Sequence, residues 1–359
     1  VSIALSPVES SRCLRCETLP PKLTGPGTLH LRFPLAHSRA KILNYLRDAH
    51  LQYFDKEDTL SIQAPEQDLT PLLAPLMNVL SSTEQADVRV LFEASGRPLQ
   101  LSDYFEIESL DSFLARAQSG WLVDMIDQDR LTSWFQPIVH CADPKRVFAY
   151  ECLLRGREGD QMVPPKRILD VARGSGLLFQ LDRAARLSAI RQAADFGVEA
   201  TLFINFTPTS IYDPVNCLRT TVQEVDRRGL RRDQVTFEVI ESESVRDTQQ
   251  LKDILDFYRS SGFGVALDDV GSGYSSLNLL GLLRPDYIKL DRELTTNVHA
   301  DPYKATIARK LLETAQELGL KTIVEGVELQ EEYAWARDHG ADYAQGYFFA
   351  RPGSPPPLL

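Results

Sequence analysis

Val265-Ala-Leu-Asp-Asp-Val270, Tyr287-Ile-Lys-Leu-Asp291 and Thr322-Ile-Val-Glu325 follow one pattern. Each is a short apolar, strand-like run that contains or ends on charged residues. The rhythm continues outward from them. Candidate strands fall at 135–139, 147–154, 201–206, 235–240, 263–268, 286–290, 321–325 and 342–345. Amphipathic helical patterns lie between most of them, as at 180–196, 249–261 and 302–318. Eight strands alternating with helices over about 225 residues is the arithmetic of a (β/α)8 barrel. Only Cys141–Arg146 separates the first two strands, too short for a helical crossover. That pair reads as a hairpin. The fold class expected is α/β: an irregular (β/α)8 TIM-like barrel with an antiparallel first strand, preceded by a small α+β domain.

Upstream, Leu29–Phe33 alternates like a strand. Ser38 is placed to cap a helix over 39–49. Leu51–Phe54 and Thr59–Ile62 read as strands around the turn Asp55-Lys-Glu-Asp58, Asp68 opens a helix through Leu80, and Val88–Phe92 is a further strand. The order β-α-β-β-α-β fits a small, ferredoxin-like α+β layer, which carries no function by itself. One helical stretch over 109–131 is expected to connect the two parts. The domains expected are a flexible arm over 1–27, a sensory or regulatory domain over 28–108, the connector over 109–131 and the barrel over 132–355.

The 359 residues carry 39 Lys and Arg against 50 Asp and Glu, a formal charge of −11. With 43% hydrophobic and 25% charged residues the chain reads as globular, not disordered. The acidic balance argues against direct DNA binding, which needs a basic stripe for phosphates. No run of about 18 apolar residues is present, so no membrane span is expected. The N-terminus lacks the basic and apolar regions of a signal peptide. Five cysteines, an odd and low number, fit a reducing cytoplasm. Cys13-Leu-Arg-Cys16 has metal-knuckle spacing, and His30 or His37 could join it. A zinc site, a redox pair and plain cysteines in an arm all remain open.

In such barrels, chemistry collects at the C-terminal ends of the strands. Taken singly, a Glu, Asn or Lys there is ordinary, and Gly271-Ser-Gly273 is a simple turn without the ending of a phosphate loop. Taken together, Glu151, Asn205, Glu238, Asp268, Asp269 and Glu325 put hard oxygen donors on one rim. That set suits Mg2+ or Mn2+. Two such ions about 3.5–4 Å apart can clamp an in-line displacement at phosphorus.

These stretches resemble the EAL family of bacterial cyclic di-GMP phosphodiesterases over about residues 130–355. Phe135-Gln-Pro-Ile-Val139 is similar to the family's opening strand, and Glu151-Cys-Leu-Leu-Arg155 to its name motif, with Cys152 where Ala is usual. Asp268-Asp-Val-Gly-Ser-Gly-Tyr-Ser-Ser-Leu277 resembles its loop motif, with Val270 and Ser272 where Phe and Thr are commoner. Ile288-Lys-Leu-Asp-Arg292, Val324-Glu-Gly-Val-Glu328 and Gln345-Gly-Tyr-Phe-Phe-Ala-Arg-Pro352 complete the series.

The resemblance implies metal-dependent hydrolysis of cyclic di-GMP to linear pGpG. It implies that Glu151, Asn205, Glu238 and Asp268 hold one metal, with Asp268 bridging to a second held by Asp269 and Glu325. Lys289 would orient or deprotonate the attacking water, Gln345 would support it, and Glu241 would anchor the loop at 268–277. Gln136, Arg155, Asp291 and Arg351 would hold the substrate. Two Mg2+ or Mn2+ ions, inhibition by Ca2+ and a homodimer through the EAL domain follow as expectations. The alternatives are a catalytically weak or inactive EAL domain acting as a cyclic di-GMP receptor, and a barrel that only mediates partner contacts.

Overall fold

The structure is a computed structural model that describes residues 13–20, 23, 26–64, 70–240, 248–271 and 276–359. It divides into two compact units. One comprises Val1–Glu17, Asp129–Pro165 and Phe179–Leu359; the other comprises Thr18–Gln128 and Lys166–Leu178.

The larger unit is a closed barrel of eight strands: β1 (Leu131–His140), β2 (Asp143–Glu158), β3 (Thr201–Asn205), β4 (Val235–Ile240), β5 (Gly264–Val270), β6 (Tyr287–Leu290), β7 (Lys321–Val324) and β8 (Tyr343–Gln345). From β2 to β8, neighbours pair in parallel. β1 runs antiparallel to both β2 and β8, which closes the wall. The expected antiparallel first strand is therefore present. β2 is longer than its sequence pattern at both ends: Asp143 pairs with His140 at the hairpin, and Gly156–Glu158 pair with Gln161–Val163. The C-terminal tail is tied to the start of the barrel: Phe135 and Gly353 exchange backbone hydrogen bonds of 2.8 and 3.0 Å, and the Tyr150 hydroxyl donates to the Pro357 carbonyl.

Strand side chains alternate between faces, and here the alternation sorts the chemistry. Leu202, Ile204, Phe237, Val239, Val265, Leu267, Ile288 and Leu290 point outward into the apolar layer beneath the helices. Ile138, Ala149, Phe203, Ala266, Ile323 and Tyr343 point inward and form an apolar floor, with Phe148 and Tyr287 against it. Two residues along from the floor, each strand presents one inward polar side chain. These are Gln136, Glu151, Asn205, Glu238, Asp268, Lys289, Glu325 and Gln345.

In the smaller unit, strands Tyr53–Lys56, Thr59–Ala64, Gly27–Arg32, Arg89–Ala94 and Glu108–Ser109 lie side by side in that order, all antiparallel. The first four have the order of a ferredoxin-like layer. Helices Ala36–Asp48, Thr70–Val79 and Leu110–Gln118 share its apolar core through Ile42, Leu46, Leu76 and Phe113. Ser38 does not cap its helix. The helix starts at Ala36, and buried Ser38 instead donates to Glu84 at 2.8 Å. Asp68 lies outside the described residues. The expected connector helix is two helices, Leu110–Gln118 and Gly120–Asp127, broken at Ser119 beside Gly120, a poor helix former. Among the described residues no helix is long and apolar enough to cross a membrane.

Candidate active site

The polar ring of the barrel centres on Lys289. Its side chain is about 1% exposed, and its Nζ lies 2.6 Å from Glu325, 2.9 Å from Glu238, 3.2 Å from Asp268 and 3.5 Å from Glu151. The Asn205 amide donates to Glu151 and to Glu238, both at 3.1 Å. Gln345 donates to the other oxygen of Glu151 at 2.7 Å. Glu151 is thus braced from two sides by amides.

Asp269 breaks the alternation. On a regular strand it would face away from Asp268. The pairing of β5 with β6 shifts register between Leu267 and Val270, and Asp269 takes φ +57°. The bulge turns both carboxylates to one side, so that oxygens of Asp268, Asp269 and Glu325 lie within 4.8 Å of one another. A left-handed conformation at a non-glycine residue costs about 1 kcal/mol, and Asp is among the residues that tolerate it best.

Two glycines let the rim close. A side chain at Gly346 would sit 1.9 Å from the Val327 carbonyl oxygen, where the backbone receives Val327 on Gln345. Gly326, at φ +66°, passes within 2.4 Å of Arg292 Cβ measured from its own missing Cβ. Glu325 and Gln345 hold their places because these segments can approach so closely.

Electrostatics makes the ring a site for cations. Five carboxylates, Glu151, Glu238, Asp268, Asp269 and Glu325, face the single Lys289 ammonium. Their net formal charge of −4 would be cancelled by two divalent ions. Without cations the group resists ionisation. Burial first, and then neighbouring negative charge, pushes Glu238 and Glu325 well above the carboxylate range despite Lys289. Asp268 is also raised. Asp269 is raised to about 7, first by burial, then by Asp268 and by its hydrogen bond with Asp291. Glu151 goes the other way: burial opposes its charge, but Lys289 and the two amides outweigh it. Lys289 is held charged, since the surrounding carboxylates overcome its burial.

The acceptor Gln345 Oε1 is buried without a hydrogen-bond partner, and Glu238 shares the one Lys289 ammonium with three other carboxylates. Hard oxygens in surplus over their donors fit Mg2+ or Mn2+. Oxygens of Glu151, Glu238 and Asp268 lie within 4.8 Å of one another, a second grouping that shares Asp268 with the first. Cys152, beside Glu151, is buried, and burial holds its thiol far above the usual range, so it is inert.

The open cleft above the ring is lined by Gln136, Glu151, Asp268, Asp269, Glu325 and Gln345 together with Arg292, Glu328 and Tyr347. The structure thus gathers every expected metal-binding residue, with Lys289, Gln345 and Gln136. Asp291 caps the helical turn Arg292–Thr295 through the Glu293 amide, and leans on Asp269. Arg155 packs 5.2 Å over the Trp134 ring, within electrostatic reach of Tyr347 and Glu151. Arg351 lies 4.4 Å over the Tyr347 ring. Glu241 and Ser272 lie outside the described residues, and so does their expected role around the loop at 268–277. Arg292, Glu328, Tyr347 and Trp134 received no role from the sequence. The first three stand just past strand ends inside the matching motifs, which was the signal available. Trp134 is recognisable only once β1 and β2 are paired.

Residues 119–352 match the family model described as EAL domain. Over 254 residues the chain is 29% identical to the cyclic di-GMP phosphodiesterase PdeR of Escherichia coli, covering 69% of this chain and 36% of PdeR. It is 25% identical to the blue light- and temperature-regulated antirepressor BluF of the same organism, covering 70% of this chain and 62% of BluF. The chain spans less than two fifths of the first curated relatives it matches. Among solved structures, a standalone EAL protein from Vibrio cholerae in its c-di-GMP-bound form is 37% identical, with a TM-score of 0.57, covering 63% of this chain and 93% of that one. By the match over 119–352, and by the ring of polar strand ends that the match encloses, this chain belongs to the EAL domain family.

Proposed function

We propose that this chain hydrolyses cyclic di-GMP to linear pGpG with two divalent metal ions. The observation that carries the reading is the closed ring of Glu151, Asn205, Glu238, Asp268 and Glu325 around Lys289, with Asp269 turned into it. The names of PdeR and the Vibrio cholerae structure support the same substrate. Glu151, Asn205, Glu238 and Asp268 would hold one ion, and Asp268, Asp269 and Glu325 the other. Bound there, Mg2+ or Mn2+ would supply Lewis-acid stabilisation of the charge that develops on the phosphoryl oxygens.

The protein's own groups do the rest. Lys289 Nζ is fixed by its carboxylates and orients the attacking water. Water adds to phosphorus, the bond to the ribose 3′ oxygen breaks, and that oxygen leaves with a proton. Gln345 Oε1 is free to accept a hydrogen bond near the same water. Gln136 lines the cleft. Arg155 and Arg351, each held over an aromatic ring, are placed to take phosphate and guanine edges. Asp291 keeps Asp269 in position and borders the substrate. The enzyme acts as a homodimer in the cytoplasm, and residues 28–108 regulate it.

A second reading is a cyclic di-GMP receptor. The likeness to BluF, named an antirepressor, favours it. Purified protein incubated with cyclic di-GMP and Mg2+ or Mn2+ and resolved by nucleotide chromatography separates the two. The enzyme gives pGpG, and EDTA abolishes it. Intact nucleotide together with tight binding by calorimetry selects the receptor.

A further inference from the structure

Three cysteines from distant parts of the chain meet within the barrel unit, away from the polar ring. Cys13 precedes the helical turn Leu14–Glu17, Cys16 lies within it, and Cys217 lies in the first turn of helix Pro214–Arg227. Their sulfurs all lie within 4.8 Å of one another. Cys16 and Cys217 are each 5% exposed, and Cys13 is half-buried. A tetrahedral zinc ion with Zn–S bonds of about 2.3 Å needs sulfurs about 3.8 Å apart, so small shifts complete the geometry.

A buried cation and braced backbone stand beside the cluster. The Cys217 thiol is drawn down to about 5, first by Cys16 beside it and then by the nearby Asp213 and Tyr212 backbone. Arg186, whose side chain is 2% exposed, sits within electrostatic reach of Cys16 and Cys217. The Arg186 guanidinium, shared with Asp182, offsets part of the excess negative charge of three thiolates on one divalent ion. The turn itself is braced: Arg15 stacks 4.4 Å from the Phe179 ring and 4.9 Å from the Tyr212 ring. Glu17 accepts from the Cys13 amide and from Arg219, which keeps its carboxylate engaged elsewhere. His30 and His37 are engaged too, with Ser61 and Glu93 and with Glu84. No fourth His, Cys, Asp or Glu among the described residues joins the group.

We propose that Cys13, Cys16 and Cys217 bind one zinc ion through three thiolates, with water in the fourth position, clamping the N-terminal turn to the barrel. Soft sulfur donors select zinc over the Mg2+ or Mn2+ suited to the oxygen-lined ring. The cluster is linked to the end of β3 through Arg186 and Asp182. Arg186 also holds Asp182, whose other oxygen accepts the Thr207 amide at 2.7 Å, two residues beyond Asn205.

The test uses the full chain, tag removed, purified in reductant and dialysed against Mg2+. Elemental analysis is expected to find about one zinc per chain. Exchange with Co2+ is expected to give a thiolate-to-cobalt charge-transfer band, which oxygen ligands do not produce. Cys16→Ser and Cys217→Ser should each lose the zinc and the band, while Glu151→Gln keeps both. Should a serine variant fail to fold by circular dichroism, the wild-type metal content and cobalt spectrum still decide. A folded wild type without zinc or the cobalt band overturns the proposal. So does zinc retained in folded Cys217→Ser. Two fewer titratable thiols without reductant, and no metal, would make the cluster a disulfide and overturn it as well.

Discussion

Glu84 in the smaller unit and Glu238 in the barrel are both buried carboxylates set against a lysine. Around Glu84 the donors are plentiful. Ser38 donates at 2.8 Å, Lys41 reaches both oxygens at 2.9 Å, the Ser81 amide donates at 2.9 Å, and His37 lies at 3.1 Å. Lys41 first, then the Ser81 backbone and Ser38, hold Glu84 far below the usual range. Around Glu238 the carboxylates outnumber the cations, the one ammonium is shared with Glu151, Asp268 and Glu325, and burial drives the group the other way. The same two residue types make a finished structural joint in one place and an unfinished one in the other. A fully satisfied cluster has nothing left to offer a ligand, while an under-satisfied one stores the free energy that a ligand releases.

Breaking the barrel cluster should have the largest effect. Glu151→Ala removes a carboxylate that both amides brace and should cost several kcal/mol of transition-state stabilisation, at least about 10³-fold in turnover of cyclic di-GMP. Turnover within a few-fold of wild type would sink the metal assignment. Replacing Mg2+ or Mn2+ by Ca2+ should lower the rate at least about tenfold, because the larger ion takes a looser shell. Undiminished activity in calcium would remove the need for a tight pair of ions.

The next contrast is in stability, read by thermal melts in EDTA. Glu238→Gln replaces a repelled carboxylate by a neutral amide and should raise the metal-free melting temperature by about 2–4 °C, the effect of about 1 kcal/mol in a domain this size. Glu84→Gln should lower it, because Lys41 loses its partner. Matching signs for the two variants would erase the distinction.

The smallest effect is the pH slope. A carboxylate raised in the folded state keeps its proton after the unfolded chain has lost it, so stability falls as pH rises. For Asp269 that window runs from 3.8 to about 7. A depressed carboxylate acts in reverse: the contribution of Glu84 is complete above the ordinary value of 4.5 and is lost as pH falls below it. The metal-free protein should therefore soften on both sides, and Mg2+ should flatten the alkaline side only. Melting curves across pH with and without Mg2+ check this.

The barrel strands were legible because each one is a local pattern: an apolar run of period two with a polar end. Lys289, Glu238 and Gln345 could be singled out for the same reason. What the sequence concealed depends on pairing or on distance. The register shift that turns Asp269 inward is a property of β5 against β6. Trp134 meets Arg155 only across the β1–β2 hairpin. Ser38 has good capping chemistry but lies within the helix, where the buried Glu84 carboxylate claims its hydroxyl. The helical stretch is present as two helices, and the break at Ser119 beside Gly120 is a local propensity effect within an otherwise helical apolar pattern. Cys217 stands more than 200 residues from Cys13 and Cys16, and no spacing rule reaches that far.

The antiparallel first strand also sets a schedule for synthesis. β1 is among the first parts of the barrel to leave the ribosome, but one of its two neighbours, β8, is the last. Its bond to Gly353 comes later still. Until those residues emerge, β1 and β7 are open edges and the polar ring lacks Gln345. Open edges are where nascent chains pair wrongly. A chain that lacks Tyr343–Gln345 would therefore be left with an unclosed sheet and an incomplete polar ring.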